Sequence, residues 1–290
     1  NDYTVSDSTI SAGQLNSLDA QYSGTVDATA VTTITGTAAD ITTVYSSSGI
    51  SGLGNEAVTL SDTTLAVSVL NTLNGNTSGP INASSINTLN SDTYDSLNTA
   101  YTAAGNGKIT GLGDEAITVN TRIRASEANT LNSNTSGVVT ASVTDSDGTG
   151  NLSISNALTI NGTGNAYSIT TRDRTVSTTD LLSIDQLTTI TINASRITTL
   201  TGTYASIITA YMAETAGTIT GLGTNVSFIT SGSITVAEAN TLSAIITSSN
   251  RNLTATISDG DMATLAGLSE TGNAYTITIT DTSVAAAALN

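Results

Sequence analysis

The stretch GLGNEAVTL that begins at Gly52 returns as GLGDEAITV at Gly111. A chain that repeats itself must fold each copy alike. A copy too small to bury its own apolar face must lie against the next one. The echoes run through most of the sequence. SGTVDA at Ser23 matches SGPINA at Ser78 and SGVVTA at Ser136. A longer interval is nested over the short one: INASSINTL at Ile81 returns as INASRITTL at Ile192. Tyr94 and Tyr101 return as Tyr204 and Tyr211, and ITGLG at Ile109 returns at Ile219, the same interval to within one position. DSTISAGQLN near the start is echoed by DTSVAAAALN at the end, which predicts a slice of a longer repetitive polypeptide.

Local patterns predict the elements. VTLSDTT and SGTVDATAV alternate β-branched with small polar residues, as strands do. LAVSVLNTLNGN predicts a helix of about three turns, with Asp62 to cap it and Gly75 to close it. TAADITTVY places Ala38, Ile41 and Val44 on one helical face, and SEANTL does the same with Ala125, Ala128 and Leu131. One strand–helix pair takes roughly 25–30 residues, the size of a single solenoid coil. The expected fold is therefore a parallel β-solenoid, strand-rich with short α-helices in its coils. Residues 1–290 form one continuous array, with sub-repeats near 1–58, 59–116, 117–180, 181–230 and 231–290. About ten or eleven coils would stack into a rod roughly 50 Å long.

Composition sets limits. Only 3% of residues are aromatic, with no Trp and one Phe, so the core must be thin and built from Ala, Val, Ile and Leu. Acidic residues outnumber basic ones 23 to 7, a net charge of −16, which argues against nucleic acid as a partner. No Cys is present, which removes disulfides and thiolate chemistry. No apolar run is long enough to span a membrane. No His is available for general acid–base work, and acidic pairs such as Glu56 with Asp62 recur as scaffold residues would; no enzyme activity is expected.

Three sets of residues remain as candidates. Asn16, Asn71, Asn87, Asn129 and Asn240 fall in matching motifs and predict a ladder of stacked amides inside the array. Asp145 with Asp147, and Asp259 with Asp261, sit in Gly-bearing turns after matching strands. Such paired carboxylates suit Ca²⁺, or else they cap helices and start turns. Arg122 with Arg124, and Arg172 with Arg174, share a face in extended chain; they are candidates for contact with an acidic neighbouring coil or subunit, or with an acidic glycan. T-x-T runs such as that at Thr33 would suit water-ordering arrays, but they are not spaced one per coil.

LNTLNGNTSGPINAS, TGTAADITTVY, ISGLGNEAVTLSD and VAEANTL with ATISDGDMATLAG together resemble the giant tandem-repeat surface proteins of marine cyanobacteria and other aquatic bacteria. Such proteins are described as adhesins or as haemolysin-like calcium-binding proteins. The resemblance implies secretion or display at the cell surface. The expected function is structural: an extracellular filament, sheath or adhesin stalk whose partner is itself, as a head-to-tail homopolymer or as neighbouring repeats of the same chain. The alternatives are a carbohydrate- or Ca²⁺-binding adhesion module and a phage tail-fibre shaft. No cofactor is expected beyond Ca²⁺, and surface glycans are the other candidate partner.

Overall fold

Strands form where aliphatic and hydroxyl residues alternate, and most helices begin at a Ser or Thr whose side chain accepts an N-terminal amide. The computed structural model describes residues 2–145 and 150–284. Contacts divide the chain into two units, Asn1–Ser142 and Val143–Asn290. The first unit runs β1 (Tyr3–Thr4), β2 (Thr9–Ser11), α1 (Ala12–Gln21), β3 (Val26–Asp27), β4 (Thr33–Gly36), α2 (Ala38–Ser46), β5 (Ile50–Ser51) and β6 (Ala57–Leu60). It continues through β7 (Thr64–Ala66), α3 (Val67–Asn76), β8 (Ile81–Asn82), β9 (Thr88–Ser91), α4 (Tyr94–Gly105), β10 (Ile109–Thr110), β11 (Ala116–Ile123) and α5 (Ala125–Asn134). A further strand, β12 (Val139–Val143), ends at the division. The second unit holds α6 (Ile154–Ala157), β13 (Ala166–Ile169), β14 (Thr175–Ser177), α7 (Thr178–Asp185), β15 (Ile192–Asn193) and β16 (Thr199–Gly202). It ends with α8 (Tyr204–Ala216), β17 (Ile219–Thr220), β18 (Ser227–Ile234), α9 (Val236–Ile245), β19 (Leu253–Ile257), α10 (Met262–Leu265) and β20 (Ala274–Thr276).

The chain is a mixed α/β protein with parallel sheets. In the first unit β1, β3 and β5 form one sheet, β2, β4, β6, β8 and β10 a second, and β7, β9 and β11 lie side by side in a third. In the second unit β14, β16, β18, β19 and β20 form one sheet, and β15 pairs with β17. Register keeps like beside like. Ile10, Ile34, Val58, Ile81 and Ile109 are successive partners, all buried. So are Val176, Leu200, Phe228 and Leu253. Outward columns are small and polar: Thr9, Thr33, Ala57 in one and Ser11, Thr35, Thr59, Asn82, Thr110 in another. In these two columns hydroxyl residues do recur at successive strands, contrary to the spacing expected from sequence, but each Thr run is two rungs long and ends at Ala57 in one column and Asn82 in the other.

The nested interval now has a structural form. β7, β9 and β11 begin at Thr64, Thr88 and Ala116, and β14, β16 and β18 begin at Thr175, Thr199 and Ser227. Each start in the second set lies as far beyond its counterpart as Ile192 lies beyond Ile81. Both sets take a shorter step from the first strand to the second and a longer one to the third. The helices contribute a narrow stripe: Val67, Leu70 and Leu73 of α3, or Ala125, Ala128 and Leu131 of α5. Fully burying one such Leu stabilises by roughly 2 kcal/mol. Most of the buried side chains are aliphatic, and two rings, Tyr167 and Phe228, are fully buried among them in the second unit.

Two local expectations are corrected. Asp62 does not cap α3, whose N-cap Ala66 has no side-chain bond. Its Oδ2 instead accepts the first amide of the preceding helix, Ala38 N of α2, at 2.7 Å. The strand read in SGTVDATAV is only the two residues of β3. Asp27 Oδ1 accepts the Thr29 amide at 3.0 Å and turns the chain there.

Candidate functional sites in the turns

Two of the GLG turns carry the most buried carboxylates among the described residues. Glu56 is 1% exposed and Glu115 is 0% exposed, at equivalent positions before β6 and β11. Each carboxylate folds back on its own turn. Glu56 Oε2 accepts from Gly54 N at 2.8 Å and Asn55 N at 3.1 Å. Glu115 Oε2 accepts from Gly113 N at 2.6 Å and Asp114 N at 3.2 Å. The other oxygen takes a helix phenol: Tyr45 of α2 donates to Glu56 Oε1, and Tyr101 of α4 to Glu115 Oε1. The carbonyls of the same residues are held from the next repeat, by Thr77 Oγ1 at 2.7 Å and Thr135 Oγ1 at 2.6 Å. Each glutamate therefore clasps a turn, a helix and the following strand start. With both oxygens engaged, it is a structural acceptor rather than a free base.

The second unit meets the same need differently. In GLGTNV the carboxylate comes from the helix: Glu214 of α8 accepts from Gly223 N at 3.0 Å. Tyr211 then donates to the Gly223 carbonyl at 2.8 Å. Where Thr77 holds the Glu56 carbonyl, Thr188, one long interval further on, holds the Tyr167 carbonyl at 2.7 Å. The fully buried Tyr167 thus stands in the Glu56 position.

Four of these phenols resist ionisation. Burial is the first cause for Tyr45, Tyr101, Tyr167 and Tyr211, and a glutamate adds to it at Tyr45, Tyr101 and Tyr211. Tyr167 is pushed up to about 12, and the other three are raised further above the ordinary 10.0. A raised phenol value in the folded state means that the stabilisation is complete below pH 10 and is lost as pH rises through the raised values. Alkaline titration should therefore show these four rings ionising together with loss of far-ultraviolet circular dichroism. A smooth tyrosinate titration that leaves the helical signal intact would count against it.

The aspartate turns are occupied by protein donors. Asp145 is buried; its Oδ1 accepts from Asn156 Nδ2 at 2.7 Å, and its Oδ2 accepts from Ser153 N and pairs with Arg172, each at 3.1 Å. Asp259 Oδ2 accepts the first amide of α9, Val236 N, at 2.7 Å. Asp261 caps α10 by accepting Thr264 N at 2.8 Å, and that bond holds its carboxyl below the usual carboxylate pKa. Asp147 lies outside the described residues. No group of three or more metal-ligating side chains occurs among the described residues. Asp62 and Asp259 belong to a wider set: Asp173 caps Ile154 N of α6 and Asp281 caps Met262 N of α10, again at 2.7 Å. In all four the cap comes from 19 to 24 residues downstream.

Four of the five asparagines share a position. Asn16, Asn71, Asn129 and Asn240 are each fifth in their helices, α1, α3, α5 and α9. Asn87 is not: it is exposed, in the segment just before β9. These helices alternate with others along the chain, so the amides do not stack on one another. Asn16 Nδ2 reaches Asp40 O at 3.0 Å, Asn71 Nδ2 reaches Ser96 O at 2.9 Å, and Asn240 Nδ2 reaches Gly267 O at 2.8 Å. Each of these three donates to backbone of the next repeat. Among the arginines, Arg122 and Arg124 are exposed on either side of buried Ile123, and Arg124 pairs with Glu127 at 3.7 Å. Arg172 pairs with Asp145 of the preceding repeat, whereas Arg174 is exposed and its carbonyl accepts from Thr198 and Thr199.

No helix among the described residues is long and apolar enough to cross a membrane. Comparison with protein-family models, curated proteins and solved structures finds no match, so the functional reading rests on this geometry.

Proposed function

We propose that the chain is a structural segment of an extracellular fibre, sheath or adhesin stalk, folded as a parallel β-solenoid whose coils are its successive repeats. The observation that carries this is the in-register column from Ile10 to Ile109, in which each strand supplies the surface for the next. The asparagine amides and downstream aspartate caps add bonds of the same kind between coils. Stability in such an array grows with the number of neighbours, and an uncovered end presents unpaired strand. The end strand β1 donates to β3 through Tyr3 N and Val5 N. Alternation turns the Thr4 N–H to the open side.

For the isolated 290-residue segment a second copy supplies the missing neighbour in this reading; in a longer chain the adjoining repeat would do so. Sedimentation and electron microscopy at rising protein concentration should show filaments. Thr4→Pro removes the outward donor and keeps both bonds to β3, so it should shift assembly to roughly tenfold higher concentration. A monomer at every concentration, or a closed trimer as in a fibre shaft, would overturn the proposal.

A further inference from the structure

The third GLG turn departs from the first two just where the chain returns to it. Eleven positions separate Leu242 from Leu253, against eight from Leu131 to Val139 and eight from Leu73 to Ile81. The Thr-Ser-Gly turn that pins the Glu56 and Glu115 carbonyls gives way to a longer loop ending in Arg251. Insertions in repeat arrays map to loops on one face, which is often the binding face.

The extra length borders a cavity of about 210 Å³, lined among others by Ser243, Ser248, Arg251, Glu270, Thr271 and Asn273. Its walls are fixed before any ligand arrives. Arg251 Nε donates to Asn225 O and Oδ1, both at 3.1 Å. Asn273 Oδ1 accepts from Leu253 N at 2.9 Å, while its Nδ2 donates to Ser243 Oγ at 2.6 Å and Tyr275 OH at 2.9 Å. Two strong groups are left over. Among the described residues neither the terminal nitrogens of Arg251 nor the Glu270 carboxylate has a protein partner, and the two residues share the cavity without forming an ion pair.

That combination selects a ligand class. A dense anion meets Glu270 and a chain of net charge −16. A cation meets Arg251, and an apolar group meets polar walls. A sugar ring carries adjacent hydroxyls that each donate and accept, so one can give to Glu270 while its neighbour takes from Arg251. The volume suits one ring rather than an extended glycan. We propose that this cavity binds a single neutral hexose unit of a surface glycan.

The test is titration of isotope-labelled protein with the methyl glycosides of glucose, galactose, mannose and N-acetylglucosamine, and separately with sulfate, observed by NMR. One glycoside should saturate shifts of Arg251 Nε and the Asn273 side-chain amide with a dissociation constant on the order of 1 mM. Glu270→Gln should weaken that binding about tenfold with the rest of the spectrum unchanged, whereas Arg196→Ala should leave it as it was. The proposal is overturned if no glycoside moves those signals, if sulfate moves them in place of every glycoside, or if Glu270→Gln binds as tightly as the parent. Because the readout is binding, any of these results leaves the stacking proposal untouched.

Discussion

Glu115→Ala is expected to destabilise the first unit by about 3 kcal/mol, because two turn amides and the Tyr101 hydroxyl lose their acceptor inside a closed site. For a unit of this size that corresponds to a fall in melting temperature of roughly 10 °C. Glu115→Gln keeps an acceptor oxygen and forfeits only the charge, so its loss should be less than half as large. The order of the two variants carries the argument. If the clasp matters only as bulk, Gln and Ala will differ little from each other. If both melt with the parent protein, the carboxylate contributes nothing and the burial of Glu115 has some other cause. The same pair at Glu214, which is half-buried near the end of its helix, should show a smaller effect, since water can replace the lost acceptor.

A second large effect is expected at Gly111. Its φ is +82°, and a Cβ there would stand 2.7 Å from the Ser84 backbone of the preceding repeat. Alanine would meet both an unfavourable dihedral and a wall that cannot move without breaking the β8–β10 pairing. We expect Gly111→Ala to cost about 3–4 kcal/mol. Gly107 separates the two causes: its φ is +73°, but nothing lies within 4 Å of the missing Cβ. Gly107→Ala should therefore cost only about 1 kcal/mol, the dihedral part alone. Urea unfolding of both variants would decide the matter, and equal losses would show that close stacking on Ser84 is unimportant.

The difference between what was legible in the sequence and what was not follows from distance along the chain. The interval that carries INASSINTL at Ile81 to INASRITTL at Ile192 also carries β7, β9 and β11 onto β14, β16 and β18. Helical faces such as Ala38, Ile41 and Val44 were readable because neighbouring turns of one helix encode them. Partners one repeat away were not. Asp62 stands just before β7 and reads as a cap for the helix that follows, yet it serves α2. Asn87 shares a local motif with Asn71 but lies outside any helix, because NTL is spelled alike at the start of a strand and in the middle of a helix. The Glu–Tyr clasp left a signal in the recurring GLG turn with a Tyr 11 or 14 residues upstream of the glutamate, but two copies are too few for that spacing to stand out. The cavity beside Arg251 was hidden for the opposite reason, since it arises where the repeat fails.

The aspartates that reach back from 19 to 24 residues downstream impose an order on the protein's birth. Each of these four helices, α2, α6, α9 and α10, lacks its final amide acceptor on leaving the ribosome until the chain has grown by most of another repeat, so its completion trails its synthesis. Damage should tell in the same place: a protease cut just after α2, α6, α9 or α10 deprives that helix of the residue that finishes it.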